Sequence, residues 1–121
     1  MEIASIELSR LRLNPYNDRH GPLRDEASSI QWLLENRKAH MRVLSQDLAK
    51  TKRLYERPLV RPEGDGFVVF DGNRRTCCMK LLADPNLAPS EAWADFYYHP
   101  AKSDLKAIWT VIRAIVINSI R

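Results

Sequence analysis

The chain has no apolar run approaching the roughly 18 residues needed to span a membrane. Its first residues, Met1-Glu2-Ile3-Ala4-Ser5, lack a charged segment followed by an apolar one, so no signal peptide is expected. Cysteine is scarce: the only two, Cys77 and Cys78, are adjacent. Neighbours rarely bridge each other, and no Cys-x-x-Cys pair exists, so a disulfide framework is excluded and a reducing, cytoplasmic compartment is expected. The three histidines, His20, His40 and His99, are scattered without zinc-site spacing. Low-complexity tracts and internal repeats are absent too.

What is present describes an ordinary globular chain. It has 121 residues, 45% hydrophobic and 28% charged, enough for one small domain with its own core. The net charge of +4 and a pI near 9.3 tilt the surface toward anionic partners without proving one.

Hydrophobic periodicity divides the chain into elements. Ile3 to Leu8 alternates and predicts a first strand. Residues Asn14 to Pro22 form a polar loop that also carries Tyr16, Arg19 and His20, a composition more typical of a functional loop than of a linker. Asp25 to Thr51 carries two apolar stripes, Ala27, Ile30, Leu33 and Leu34, then Met41, Leu44 and Leu48. The polar run Glu35 to Lys38 separates them, so two helices are expected. Leu59-Val60-Arg61 is a short strand, and Glu63-Gly64-Asp65-Gly66 a turn. Phe67 to Phe70 is a continuous apolar strand of the kind buried on both faces. A helix follows from Asn73 to Ala83, stopped by Asp84-Pro85, and another over Ser90 to Tyr98 with Ser90 as N-cap. Ile112 to Ile120 reads as a final strand. The chain stops directly after it, which predicts a longer full protein; a gene ending at residue 121 would contradict that. The class expected is α/β or α+β, a mixed sheet with packed helices in one domain over residues 1–121.

The densest chemical signal lies at Asp71-Gly72-Asn73-Arg74-Arg75. Gly72 allows a sharp turn and Asn73 can cap the helix. The first helical amides lack internal partners and favour an anion. Two arginines in a first turn stand at the wrong end of the helix dipole, costing roughly 0.3–1 kcal/mol each. A bound phosphate reverses that sign, and arginine's planar fork suits phosphate. The plain alternative is that Arg74 and Arg75 are solvated, or that one pairs with Asp71. Cys77 and Cys78 fit small buried hydrophobes. Trp32, Trp93 and Trp109 fit a core or a partner surface. Lys50, Lys52, Arg53 and Arg57 fit a solvated helix end that could also touch a nucleic-acid backbone.

The strand-Asp71-Gly72-Asn73-Arg74-Arg75 pattern, closed by Leu81-Leu82, resembles the signature of the ParB/sulfiredoxin-like superfamily. Asn14-Pro15 with Arg19 resembles its Asn-Pro…Arg loop, and Leu44 to Val60 its helix followed by a Pro-Leu-Val strand. The resemblance spans most of residues 3–83. It implies a nucleotide-binding module acting in DNA transactions of the partition, phage-defence or DNA-modification kind. Gly72, Asn73, Arg74 and Arg75 would then hold phosphate, with Asn14, Arg19 and His20 lining the same pocket. CTP or ATP with Mg²⁺ would be the ligand, and Asp71 a magnesium contact. The partners implied are a nucleotide, DNA and, as an option left open, a second copy of the chain. Asn73 stands where ParB proteins carry Glu and sulfiredoxins their catalytic Cys. An amide is no general base, so binding is expected ahead of hydrolysis, and sulfiredoxin chemistry is not expected. The alternatives are a metal-dependent nuclease using Asp71 and Asp18, or a helix-turn-helix DNA binder built on Ile30 to Leu48.

Overall fold

The computed structural model describes residues 2–14, 25–52, 56–101 and 111–117. Strand β1 (Glu2–Glu7) leads through a short 3₁₀ turn (Leu8–Arg10) into a two-residue strand β2 (Leu11–Arg12). Helices α1 (Glu26–Asn36) and α2 (Lys38–Thr51) follow, then β3 (Leu59–Glu63), β4 (Gly66–Asp71), α3 (Asn73–Ala83), α4 (Glu91–Ala101) and β5 (Val111–Val116). The five strands form one mixed sheet in the order β1-β5-β3-β4-β2. The fold is therefore α+β, with the mixed sheet that the strand pattern predicts.

Local chemistry explains the boundaries. Asp25 caps α1 by accepting the Ser28 N–H at 2.8 Å. The two helices break at Arg37, inside the polar run. α2 ends on Lys52 in the left-handed conformation (φ 56°). Gly64-Asp65 closes the β3–β4 hairpin, with Glu63 opposite Gly66. Ser90 Oγ accepts the Trp93 N–H at 3.2 Å ahead of α4, the role its position predicts.

The pairing has a geometric consequence. β1 and β2 lie at opposite edges of the sheet, which in a flat five-stranded sheet stand about 19 Å apart. Only three residues join them, and Glu7 to Leu11 can span at most about 15 Å. The sheet must curl so that its edges approach. The connecting turn crosses the start of β4 closely, because a Cβ on Gly66 would sit 2.7 Å from the Arg10 carbonyl oxygen.

α3 is buried over most of its length. Cys77, Cys78, Met79, Leu81 and Leu82 are fully buried, against Ile6, Leu11, Val60, Val69, Ile112, Ala114 and Val116 from the sheet. Ile30, Leu33, Leu34, Met41 and Leu48 close the core from α1 and α2, and Tyr97 closes it from α4. Ser45 and the Tyr97 hydroxyl share a buried 2.8 Å hydrogen bond. Trp32 and Trp93 pack at the margin of this core, while Trp109 lies outside the described residues. β4 is buried on both faces at its centre, as its apolar run suggests, and opens only toward its end. Val68 (6% exposed) and Val69 (0%) are buried on opposite faces, but Phe70 at the strand's end is 40% exposed, with the Arg61 guanidinium 4.8 Å from its ring. A continuous apolar run does not report where along the strand that cover ends.

Among the described residues, no helix is long and apolar enough to cross a membrane.

Candidate functional site

β4 delivers the chain to the site and Gly72 turns it. Gly72 has φ +99° and ψ 23°, a conformation that side-chain-bearing residues rarely adopt. A Cβ there would also stand 3.3 Å from both Cα and Cβ of Pro58. Pro58 cannot retreat freely, since its carbonyl accepts the Ile115 N–H of β5 at 2.9 Å. Glycine thus answers two demands at one position.

Gly72 is also the N-cap of α3, and it offers no side chain to the helix amides. The first backbone bond of the helix runs from Thr76 N–H to Gly72 oxygen at 2.8 Å. The amides of Asn73, Arg74 and Arg75 consequently lack intrahelical partners and carry the positive end of the helix dipole.

Asn73 is not the cap that its type and place suggest. It is the first helical residue, 4% exposed, and its side chain grips the end of β2. Its Oδ1 accepts the Asn14 N–H at 3.1 Å, and its Nδ2 donates to the Asn14 carbonyl at 3.0 Å. These two bonds hold the carboxamide against Asn14. The same edge is held from below. Glu26 Oε1 accepts the Leu13 N–H at 2.9 Å, and its Oε2 pairs with the buried Lys80 ammonium of α3 at 3.5 Å.

Asp71, Gly72, Asn73, Arg74 and Arg75 line one cavity of about 380 Å³. His40 and Leu44 from α2 complete its wall. Arg75 pairs with Glu56 at 3.0 Å, not with Asp71. The side chains of His40 and Asp71 make no hydrogen bond or ion pair with another described residue. The cavity therefore combines a helix N-terminus, two guanidinium groups, an imidazole and one carboxylate.

Of the other residues expected to line this pocket, Asn14 instead borders a second cavity of about 450 Å³, with Arg12, Glu26, Arg61 and Phe70. Arg19 and His20 lie outside the described residues, as does Asp18. His40 and Leu44 carry no local signal. A Leu44-centred stripe marks only a packed helix, and their place in the wall follows from α2 lying against α3.

Two further features bear on chemistry. Among the described residues, no group of three His, Cys, Asp or Glu side chains is placed to hold a metal ion. Cys77 and Cys78 are buried free thiols. Burial pushes Cys78 up to about 12, against hydrogen bonds from Ser45 and Tyr97 that lower it. Burial first, and the neighbouring Cys78 second, hold Cys77 well above the ordinary thiol range. Neither is a poised nucleophile. α1 and α2, joined by Arg37 alone, both send their apolar faces into the core. That join is shorter than the three- to four-residue turn of a helix-turn-helix unit.

No protein-family model, curated protein or solved structure matches the chain.

Proposed function

We propose that this chain is a ParB-like module that binds a phosphate-bearing ligand at the start of α3. The ligand is a nucleotide, CTP or ATP with Mg²⁺, and the module works in DNA transactions. One observation carries the reading. The N-terminus of α3 is capped by a glycine and opens, with Arg74 and Arg75, into a cavity large enough for more than a lone phosphate. The Asp71-Gly72-Asn73-Arg74-Arg75 pattern supplies the family resemblance, and the cavity supplies a physical reason for it.

The residues suit magnesium in a limited way. Magnesium in nucleotide sites is commonly held by one or two carboxylates together with substrate phosphates. Asp71 offers one carboxylate in the same cavity and would hold the ion only alongside a nucleotide. Binding takes precedence over hydrolysis in this proposal. Asn73 is an amide held against Asn14, and an amide cannot take a proton as a general base.

Isothermal titration with CTP, ATP and GTP in the presence of Mg²⁺ tests the proposal. Saturable binding of at least one, weakened about tenfold or more by Arg74→Ala, is the expected result. No heat with any nucleotide, or equal binding in the variant, would count decisively against it.

A further inference from the structure

The second cavity, of about 450 Å³, is built by strand register at the β3-β4-β2 side of the sheet. Val68 stands opposite Arg61 of β3 and level with Arg12 of β2, so the three side chains leave one face. Phe70 joins them two residues further along β4, while Val60 and Val69 pair on the other face, toward the core. Val68 and Leu13 are buried and give the cavity an apolar lining. Phe70 and Asp71, successive along β4, turn to opposite faces, and the two cavities share no described lining residue. This inference therefore stands whether or not phosphate binds at the start of α3.

Most of the charge around this cavity is paired off within the protein. Arg12 pairs with Glu63 at 3.3 Å. Glu26 pairs with Lys80 and accepts the Leu13 N–H, and Asp25 accepts the Ser28 N–H. Arg61 is different. Its guanidinium lies over the Phe70 ring, 4.8 Å from the centroid, and its side chain makes no hydrogen bond or ion pair with another described residue. Stacking holds the guanidinium by its face and spends none of its in-plane N–H donors, the fork that suits a carboxylate. We propose that this cavity binds a small organic monoanion with a flat apolar body. Its carboxylate meets the Arg61 fork and its body packs against Val68, Leu13 and the exposed ring of Phe70. The volume falls in the range of small-molecule pockets, which set a few convergent polar groups in an apolar lining. Asp25, Glu26 and Glu63 on the same walls limit the ligand's charge. They would repel the further charges of a polyanion, so a nucleic-acid backbone or a nucleoside triphosphate is the poorer occupant.

The probe is 2-naphthoate, a monoanion at about pH 7, with the neutral alcohol 2-naphthalenemethanol as its uncharged counterpart. Each is titrated into the whole chain and followed by nuclear magnetic resonance. Naphthoate should give saturable shifts largest at the amides of Arg61, Val68 and Phe70 and at the Arg61 side-chain N–H. The alcohol should bind about tenfold more weakly, the worth of one charge-assisted hydrogen bond. Arg61→Gln should weaken naphthoate by about the same factor and leave the alcohol unchanged, whereas Phe70→Ala should weaken both. Arg113→Gln, which removes an exposed charge of β5 outside the cavity, should change neither. Circular dichroism checks that each variant keeps the fold. Absence of saturable naphthoate binding, or shifts centred on Gly72 to Arg75 instead, overturns the site. Equal affinity for acid and alcohol overturns the role of Arg61, as does an equal loss in Arg61→Gln and Arg113→Gln, which would mark general charge attraction.

Discussion

Replacing Gly72 by alanine isolates the turn that creates the site. At φ +99° an L-residue pays about 1–2 kcal/mol for a left-handed backbone. The new Cβ would stand 3.3 Å from Pro58 Cα and Cβ, so Pro58 must yield by a few tenths of an ångström. That shift pulls on the 2.9 Å bond from Ile115 N–H to the Pro58 carbonyl, adding about 1 kcal/mol. Against this, alanine narrows the unfolded ensemble and returns about 0.4–1 kcal/mol. The net loss should be about 1–2.5 kcal/mol. Urea unfolding followed by circular dichroism measures it, as a lower midpoint with unchanged slope. Gly72→Asn separates the two causes, since asparagine tolerates positive φ better than alanine but carries the same Cβ. It should recover only the backbone part of the loss. A Gly72→Ala variant within about 0.3 kcal/mol of wild type would refute the reasoning, because neither strain nor crowding would then be present.

Three other outcomes follow from separate observations. Asn73→Ala removes both part-buried hydrogen bonds between its side chain and the Asn14 backbone, so urea unfolding should show a loss of about 1–3 kcal/mol. Thr76 is fully buried and its Oγ1 has no partner among the described residues, so the isosteric Thr76→Val should leave the melting temperature unchanged or raise it, by up to about 1 kcal/mol of stability. The thiols act through pH. Their pKa values are raised in the folded state, so unfolded thiolates form first. Stability is intact below the ordinary value of 9.0 and falls above it, by up to about 1.4 kcal/mol per pH unit for each thiol. Unfolding curves from about pH 8 to about pH 10.5 should show this slope, and Cys77→Ala with Cys78→Ala should flatten it.

Much of this architecture is written in local pattern. The polar run around Arg37 marks the helix break, Gly64-Asp65 the hairpin, Ser90 the last cap, and Asp84-Pro85 the end of α3. Each is set by a few neighbouring residues. What local pattern does not carry is the long-range arrangement. Nothing near Val111 announces that β5 inserts between β1 and β3. Asn73 shows the same limit within the site. Its type suits a cap, but the backbone it satisfies belongs to Asn14, 59 residues away. Gly72 to Arg75 were legible because a positive-φ glycine and misplaced first-turn arginines break local rules. His40 and Leu44 break none, and only the packing of α2 on α3 brings them to the cavity.

The central claim is that the start of α3 holds a phosphate. Nuclear magnetic resonance titration of the chain with CTP or ATP and Mg²⁺ reads it at residue level. The account predicts saturable shifts largest at the amides of Gly72, Asn73, Arg74 and Arg75, with weaker ones at His40, and their loss in Arg74→Ala. Shifts confined to the cavity bordered by Asn14, Arg61 and Phe70, or no shifts with either nucleotide, would contradict it.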